Sequence, residues 1–304
     1  MMKQAKIRQG AGNAVRRALA ALLFCAAVGP AIAAESESVA LLRAKHASLE
    51  ASLRHTPFKQ PLILESTEGE SRLGGDIYAV VNHPFSAVQA GLNSPDHWCD
   101  IMLLHINTKF CSATGGPSSS RLRINLGKKT PEDLIDTEQL EFAYGVAAAT
   151  PQYLGIVLSA RQGPMGTSAY RIFLEAVPLT DAKTFLHLSF SYDVSFSGKL
   201  ALKTYLGTIG SHKVGFSVIG MRQNGQPDYI GGVRGLMERN TMRYYLAIDA
   251  FLGAAGTADP AQSEKRLQDW FTSTERYPRQ LREMDRQTYL DMKRVEYERQ
   301  QAAH

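Results

Sequence analysis

Leu186-His187-Leu188-Ser189-Phe190-Ser191-Tyr192-Asp193-Val194-Ser195-Phe196 alternates without a break. Leu186, Leu188, Phe190, Tyr192, Val194 and Phe196 share one side, and His187, Ser189, Ser191 and Asp193 the other. A period of two residues is that of a β-strand with one face on a core and the other toward water. The pattern repeats upstream. Leu140, Phe142, Tyr144 and Val146 alternate with Glu141, Ala143 and Gly145, while Tyr170, Ile172, Leu174 and Ala176 alternate with Arg171, Phe173 and Glu175. Residues 153–160 read as a mostly apolar strand, and glycine-rich residues 163–168 as the hairpin loop that follows it. The centre of the chain is therefore expected to be an antiparallel sheet, wet on one side.

Toward the N-terminus, residues 35–53 space Val39, Leu42, Leu49 and Leu53 as a short helix does, and 61–67 is a short apolar segment. Gly69, Gly74 and Gly75 make 66–75 a turn-rich patch. Residues 76–82 read as a strand, and Asn82-His83-Pro84 opens a helix whose Phe85, Val88 and Leu92 share a face. Residues 101–107 and 121–126 read as strands, 111–120 as a Gly/Ser-rich loop between them, and Lys128-Lys129 as a turn. Further on, 214–219 reads as a strand, and Asn224-Gly225 and Gly231-Gly232 as turns. A long helix over 233–252 carries the stripe Val233, Met237, Tyr244, Ile248 and Phe251, with Asn240 its one polar member and Glu238, Arg239 and Arg243 mostly off it. After a linker at 253–260 the chain is dense in charge. Two helices interrupted by Tyr277-Pro278 are expected there, the second with the narrow stripe Leu281, Met284, Met292 and Val295. Such a stripe predicts a solvated helix laid on the domain or a partner contact, and a chain that still folds when cut after Gly256.

A strand, a short helix at His83-Pro84-Phe85, a run of antiparallel strands and one long closing helix resemble the helix-grip fold of the START and polyketide-cyclase superfamily. The residues that carry the resemblance are Asp76-Ile77-Tyr78-Ala79-Val80 leading into Pro84-Phe85-Ser86-Ala87-Val88, and Met237-Glu238-Arg239-Asn240 opening the last helix. The resemblance implies an α+β fold in which a curved antiparallel sheet wraps a long C-terminal helix, here with N- and C-terminal helical extensions. It also implies a cavity for a lipid-like or polycyclic molecule, with no shared catalytic residue. Parity then names Phe142, Tyr144, Tyr170, Ile172, Phe190 and Tyr192 as lining from the sheet, and Asn240 and Tyr244 as lining from the helix. A packed core accounts equally for the aliphatic and phenylalanine positions. The tyrosines and Asn240 say more, because each buries a polar group that needs a partner.

Lys3, Lys6, Arg8, Arg16 and Arg17, an apolar run at 18–28 and Ala31-Ile32-Ala33 form the three parts of a secretory signal cleaved near Ala33. The run is short for a membrane anchor and is followed by Pro30. Ala18 and Leu19 fit a twin-arginine signal poorly, and bulky Phe24 before Cys25 fits a lipoprotein poorly. The expected organisation is signal 1–33, helical segment 34–65, grip domain 66–256 and charged extension 257–304, in the periplasm. The signal also accounts for the basic balance. The chain has 34 Lys and Arg against 29 Asp and Glu, but residues 1–33 hold five of the basic groups and no acid, which leaves 29 against 29. A field that attracts nucleic acid is not expected from a neutral chain.

Cys99 and Cys111 remain after cleavage, and in an exported chain a structural disulfide is expected, with a pair of free buried thiols as the other reading. A straight strand at 101–107 makes that bridge awkward, since the chain must double back to close it. No nucleophile elbow, zinc motif, P-loop or dinucleotide fingerprint is present, so no metal or cofactor is expected. His105, and His187 near Asp193, are the acid/base candidates, whereas Asp76 and Glu141 read as charges on a sheet face. The expected function is periplasmic binding or transfer of a hydrophobic small molecule. A cyclase or aromatase using a cavity His or Asp is one alternative, and an envelope protein that binds a partner through its C-terminal helices is the other.

Overall fold

A computed structural model describes residues 29–116, 119–208, 210, 212–258 and 261–303. In it the alternating stretch becomes β8 (Lys183–Val194), which lies between β2 (Arg72–Val81) and β7 (Thr167–Thr180). The remaining strands are β1 (Leu62–Glu68), β3 (Thr108–Thr114), β4 (Arg121–Leu126), β5 (Glu138–Ala149) and β6 (Leu154–Gln162). Together they form one eight-stranded sheet in the order β1-β2-β8-β7-β6-β5-β4-β3, every neighbouring pair antiparallel. Residues that alternate in sequence alternate in burial: Leu186, Leu188, Phe190, Tyr192 and Val194 all face inward. Each such side chain contributes about 1.5–3 kcal/mol on leaving water.

Among the described residues, five helices before the C-terminal ones complete the frame: α1 (Gly29–Arg54), α2 (Phe85–Leu92), α3 (Pro95–Leu104), α4 (Phe196–Gly207) and the long α5 (Gly232–Gly253). After α5 come α6 (Ala261–Thr274), the short α7 (Pro278–Leu281) and α8 (Arg286–Gln301). A small hairpin of β9 (Val218–Met221) and β10 (Pro227–Tyr229) leads into α5. The sheet grips α5, which lies against β1, β2 and β8. The fold is thus α+β and helix-grip. Gly75 sets that contact: a Cβ there would stand 2.2 Å from Thr241 Oγ1 and 3.2 Å from Met237 Cγ, so only glycine lets the helix come this close.

Several elements differ from expectation. Residues 101–104 end α3 instead of forming a strand. An unbroken apolar run does not separate a buried helix from a strand, whereas Pro95 in the first turn and Asp96 beside it suit a helix start. The first four residues of the expected loop at 111–120 instead belong to β3, an edge strand of small residues with weak alternation. These two shifts place Cys99 on a helix beside Cys111 on a strand, and the disulfide forms with Cα atoms 5.1 Å apart. Gly74 and Gly75 belong to β2 and not to a turn. Residues 214–217 are a loop and not a strand, held where Glu238 accepts hydrogen bonds from the Phe216 and Ser217 amides and the Ser217 and Ser66 hydroxyls. Glu238, Arg239 and Arg243 are buried: the first two pack against the 214–217 loop, and Arg243 reaches Leu281 O and Glu283 of the C-terminal segment that covers this side of α5.

The C-terminal extension was expected to be solvated, yet α8 is docked on edge strand β3. Lys293 Nζ donates to Glu296, His105 O and Thr108 O at 2.7–2.8 Å, and Lys109 Nζ reaches the same glutamate at 2.9 Å. Burial pulls the Lys293 ammonium down to about 8, against the attraction of Glu296. Trp270 stacks on Tyr289 at 4.9 Å, and the Gln300 carboxamide accepts from the Cys111 amide and donates to Asp100. A backbone edge that would otherwise template pairing is thereby covered. The outer sheet face is also drier than its polar residues suggest, since α1 lays Leu42 and Leu53 over Tyr153, Val177 and Phe185. Residues 1–28 lie outside the described residues, and the small-x-small site at 31–33 falls within α1. Among the described residues no helix is long and apolar enough to cross a membrane.

Candidate functional site

The inward parity of β5, β7 and β8 brings most of the expected residues into one aromatic cluster. Tyr170 stacks on Tyr192 at 5.0 Å and meets Phe142 edge-on at 6.2 Å, and Phe190 meets Tyr244 edge-on at 5.2 Å. Ile172 is buried in β7 directly opposite Phe190 in β8. Because α5 sits over β1, β2 and β8, these rings bridge the interior from β5 and β7 across to the helix. Tyr144 departs from the group: its hydroxyl points to Leu92 O at 3.4 Å, at the end of α2. Asn240 lies half-buried on α5, one turn before Tyr244.

The polar atoms of this cluster are unevenly satisfied. Tyr170 hydrogen-bonds Thr167 Oγ1 at 2.7 Å. The Tyr192 and Tyr244 hydroxyls and the Asn240 carboxamide have no hydrogen-bond partner among the described residues, yet none of them is sealed off by packing. Desolvation raises the pKa of both phenols well above 10, with nearby Tyr170 adding to it, so both stay protonated donors at neutral pH. Two hydroxyls on an aromatic wall can orient a small apolar molecule that carries hydrogen-bond acceptors.

His105 was not among the expected lining residues, yet its ring stacks on Tyr244 at 4.9 Å. It caps α3 and does not lie on a strand as expected. Its Nδ1 accepts from the Asn107 amide, which leaves the proton on Nε2, and that nitrogen is sealed without a partner. Burial, then the charges of Arg243, Lys293 and Lys129, hold its pKa well below the usual imidazole value. It is a neutral ring behind the tyrosine. No sequence motif announces this contact, because it depends on α3 ending where α5 passes.

The other histidine candidate lies on the opposite sheet face. His187 bonds Glu175 at 2.8 Å and Asp76 at 2.9 Å, with Tyr78 stacked on it at 4.3 Å, whereas Asp193 pairs with Arg72. Burial opposes charge on this ring, but the hydrogen bonds and charges of the two carboxylates outweigh it and raise its pKa. Asp76 and Glu141 are sheet-face charges as expected, Glu141 pairing with Arg121 across β4 and β5. Among the described residues no three His, Cys, Asp or Glu side chains cluster as a metal site would.

Two grooves open elsewhere on the surface. One, of about 600 Å³, runs between the end of α1, edge strand β1 and residues 216–218, with Phe58, Leu62 and Phe216 among its walls. The other, of about 470 Å³, lies between α6 and α8 beside Leu267 and Tyr297. Neither touches the aromatic cluster.

No family model matches this sequence, and no curated protein does. Solved structures similar in fold include a point mutant of norcoclaurine synthase from Thalictrum flavum in complex with a transition-state analogue. It is 13% identical over 47% of this chain and 91% of its own, with a TM-score of 0.33. The Zhui aromatase/cyclase from Streptomyces sp. R1128 is 14% identical over 64% of this chain and 96% of its own, with a TM-score of 0.38. A conserved protein from Geobacillus kaustophilus is 12% identical over 60% and 95%, with a TM-score of 0.35. Identity and overlap at this level assign neither a ligand nor a reaction to this chain.

Proposed function

We propose that this protein is exported to the periplasm and there holds a lipid-like or polycyclic hydrophobic molecule between α5 and the inner sheet face, binding it without transforming it. The observation that carries this reading is the pair of Tyr192 and Tyr244 hydroxyls, unpartnered among the described residues, inside an aromatic cluster. Hydroxyls that the protein leaves unbonded and accessible can donate to a ligand that carries acceptors. The acid/base alternative draws less support. His105 Nε2 is sealed behind Tyr244, and Asp76 and His187 sit on the far side of the sheet. An envelope partner would have to use the outward faces of α6 and α8, since their inward faces hold Trp270, Tyr289 and Lys293.

Native mass spectrometry of protein taken from the envelope, followed by organic extraction and lipid analysis, tests the proposal directly. In parallel, Tyr192→Trp and Tyr244→Trp are each expected to weaken displacement of a fluorescent hydrophobic probe while leaving thermal melting nearly unchanged. Open space tolerates added volume, whereas a packed core loses about 1–3 kcal/mol on overpacking. If wild type binds neither probe nor extracted lipid and both Trp variants melt far lower, the space is core and the reading fails.

A further inference from the structure

We infer that the tip formed by the β6–β7 turn and α4 docks on an anionic lipid bilayer. Met165 in the turn and Phe196 and Leu200 on α4 are 83%, 88% and 60% exposed, among the largest apolar exposures on the molecule. They belong to one structure. The Ser195 amide donates to Gly166 O at 3.1 Å, and α4 passes so close to the turn that a Cβ on Gly198 would lie 2.9 Å from Met165 O. Met165 also holds a φ of 55°, a left-handed conformation that costs a non-glycine residue about 1–2 kcal/mol. A strained position that carries a protruding methionine, where glycine or asparagine would relax the backbone, points to a use for that side chain.

Charge selects the partner. Three nearby cations are already met by acids: Lys199 on α4 lies 3.5 Å from Glu68, and further along the chain Lys213 and Arg222 pair with Glu283 and Asp228. Lys203 on α4 and Arg161 at the end of β6 are exposed and form no ion pair among the described residues. Apolar side chains that protrude singly beside two unpaired cations match an acyl layer under anionic headgroups. A protein partner would more usually meet a flat, mixed patch.

The tip also adjoins the aromatic interior. Tyr170, stacked on Tyr192, hydrogen-bonds Thr167 at the base of the turn, and a Cβ on Gly163 would stand 2.4 Å from its ring. Docking at this end would bring the bilayer against the tyrosine end of the cluster. That transfer role rests on the cavity reading, whereas the docking does not.

The test is co-sedimentation of the purified protein with phosphatidylcholine vesicles, with and without phosphatidylglycerol. Wild type is expected to bind the phosphatidylglycerol vesicles and to release as salt rises. Phe196→Ser with Leu200→Ser should lower partitioning roughly ten- to a hundredfold, and Lys203→Glu with Arg161→Glu should remove the preference for phosphatidylglycerol. Ile135→Ser, at a site equally exposed on the turn before β5, should change nothing. Melting curves confirm that each variant is folded. No vesicle binding by wild type, or equal binding by the Phe196/Leu200 variant, overturns the proposal. So does a wild-type dimer that the variant turns into a monomer without any effect on vesicles, which would assign the tip to a second copy. Probe binding in vesicle-free solution is read separately: a protein that binds the probe but no vesicle keeps the cavity reading and loses this one, and the converse separates them the other way.

Discussion

Two buried regions of this molecule treat polar groups in opposite ways. Where α8 meets edge strand β3, each polar group has an assigned place: Lys293 makes three hydrogen bonds, Glu296 receives two lysines, and the Tyr289 hydroxyl donates to Leu104 O at 2.9 Å. Between α5 and the inner sheet, the Tyr192 and Tyr244 hydroxyls make none. Both regions are deep and both mix aromatic rings with hydrogen-bonding groups. The difference separates polar groups that hold the fold from hydroxyls that the protein leaves unbonded but not sealed off, and so open to something else.

The dock offers the hardest way to break this contrast. Lys293→Ala strips two carbonyls and Glu296 of a partner and is expected to cost about 3–5 kcal/mol in chemical denaturation. Replacing Lys109 and Lys293 by Met and Glu296 by Leu together removes every charge at once and should cost much less. If Lys293→Ala melts like wild type, the dock is not structural and α8 lies on the molecule as its narrow stripe suggested.

A pair of phenylalanine substitutions sharpens the comparison on one chemical group. Tyr289→Phe leaves Leu104 O without its donor and is expected to destabilise by about 1 kcal/mol. Tyr192→Phe and Tyr244→Phe remove hydroxyls that bond nothing, so stability should hold or rise slightly while probe affinity falls several-fold. Equal losses in all three, measured by urea melts, would mean that the interior hydroxyls are as structural as the docked one.

The smallest expected effect is at His187, outside both regions. Its folded pKa is raised, so the stabilisation from Asp76 and Glu175 is fully present below the unfolded value of about 6.5 and is lost as pH rises through the folded value. The stability gap between wild type and His187→Gln should therefore shrink as pH rises through the folded pKa. A gap that widens with pH would reverse the assignment of the charged ring.

Sequence alone settled what depends on nearest neighbours along the chain. The period-two strands, their inward parity except at exposed Val146 and at Phe196, which opens α4, the long closing helix and the cluster of Phe142, Tyr170, Phe190, Tyr192 and Tyr244 were legible, because a strand turns successive side chains to opposite faces whatever surrounds it. Tertiary structure decided whatever depends on an element's partners. The apolar run at 101–104 became helix and the small residues of 108–114 became an edge strand, because length and composition leave such segments open until packing chooses. His105 reached Tyr244, Gly75 made room for Thr241, and the charged stretch after Gly256 buried Lys293 against Glu296, all through contacts between residues far apart in the chain. Periodicity reports which side of an element is apolar. It cannot report that a lysine will find its carboxylate in the interior, since that attraction exists only once both have been brought out of water together.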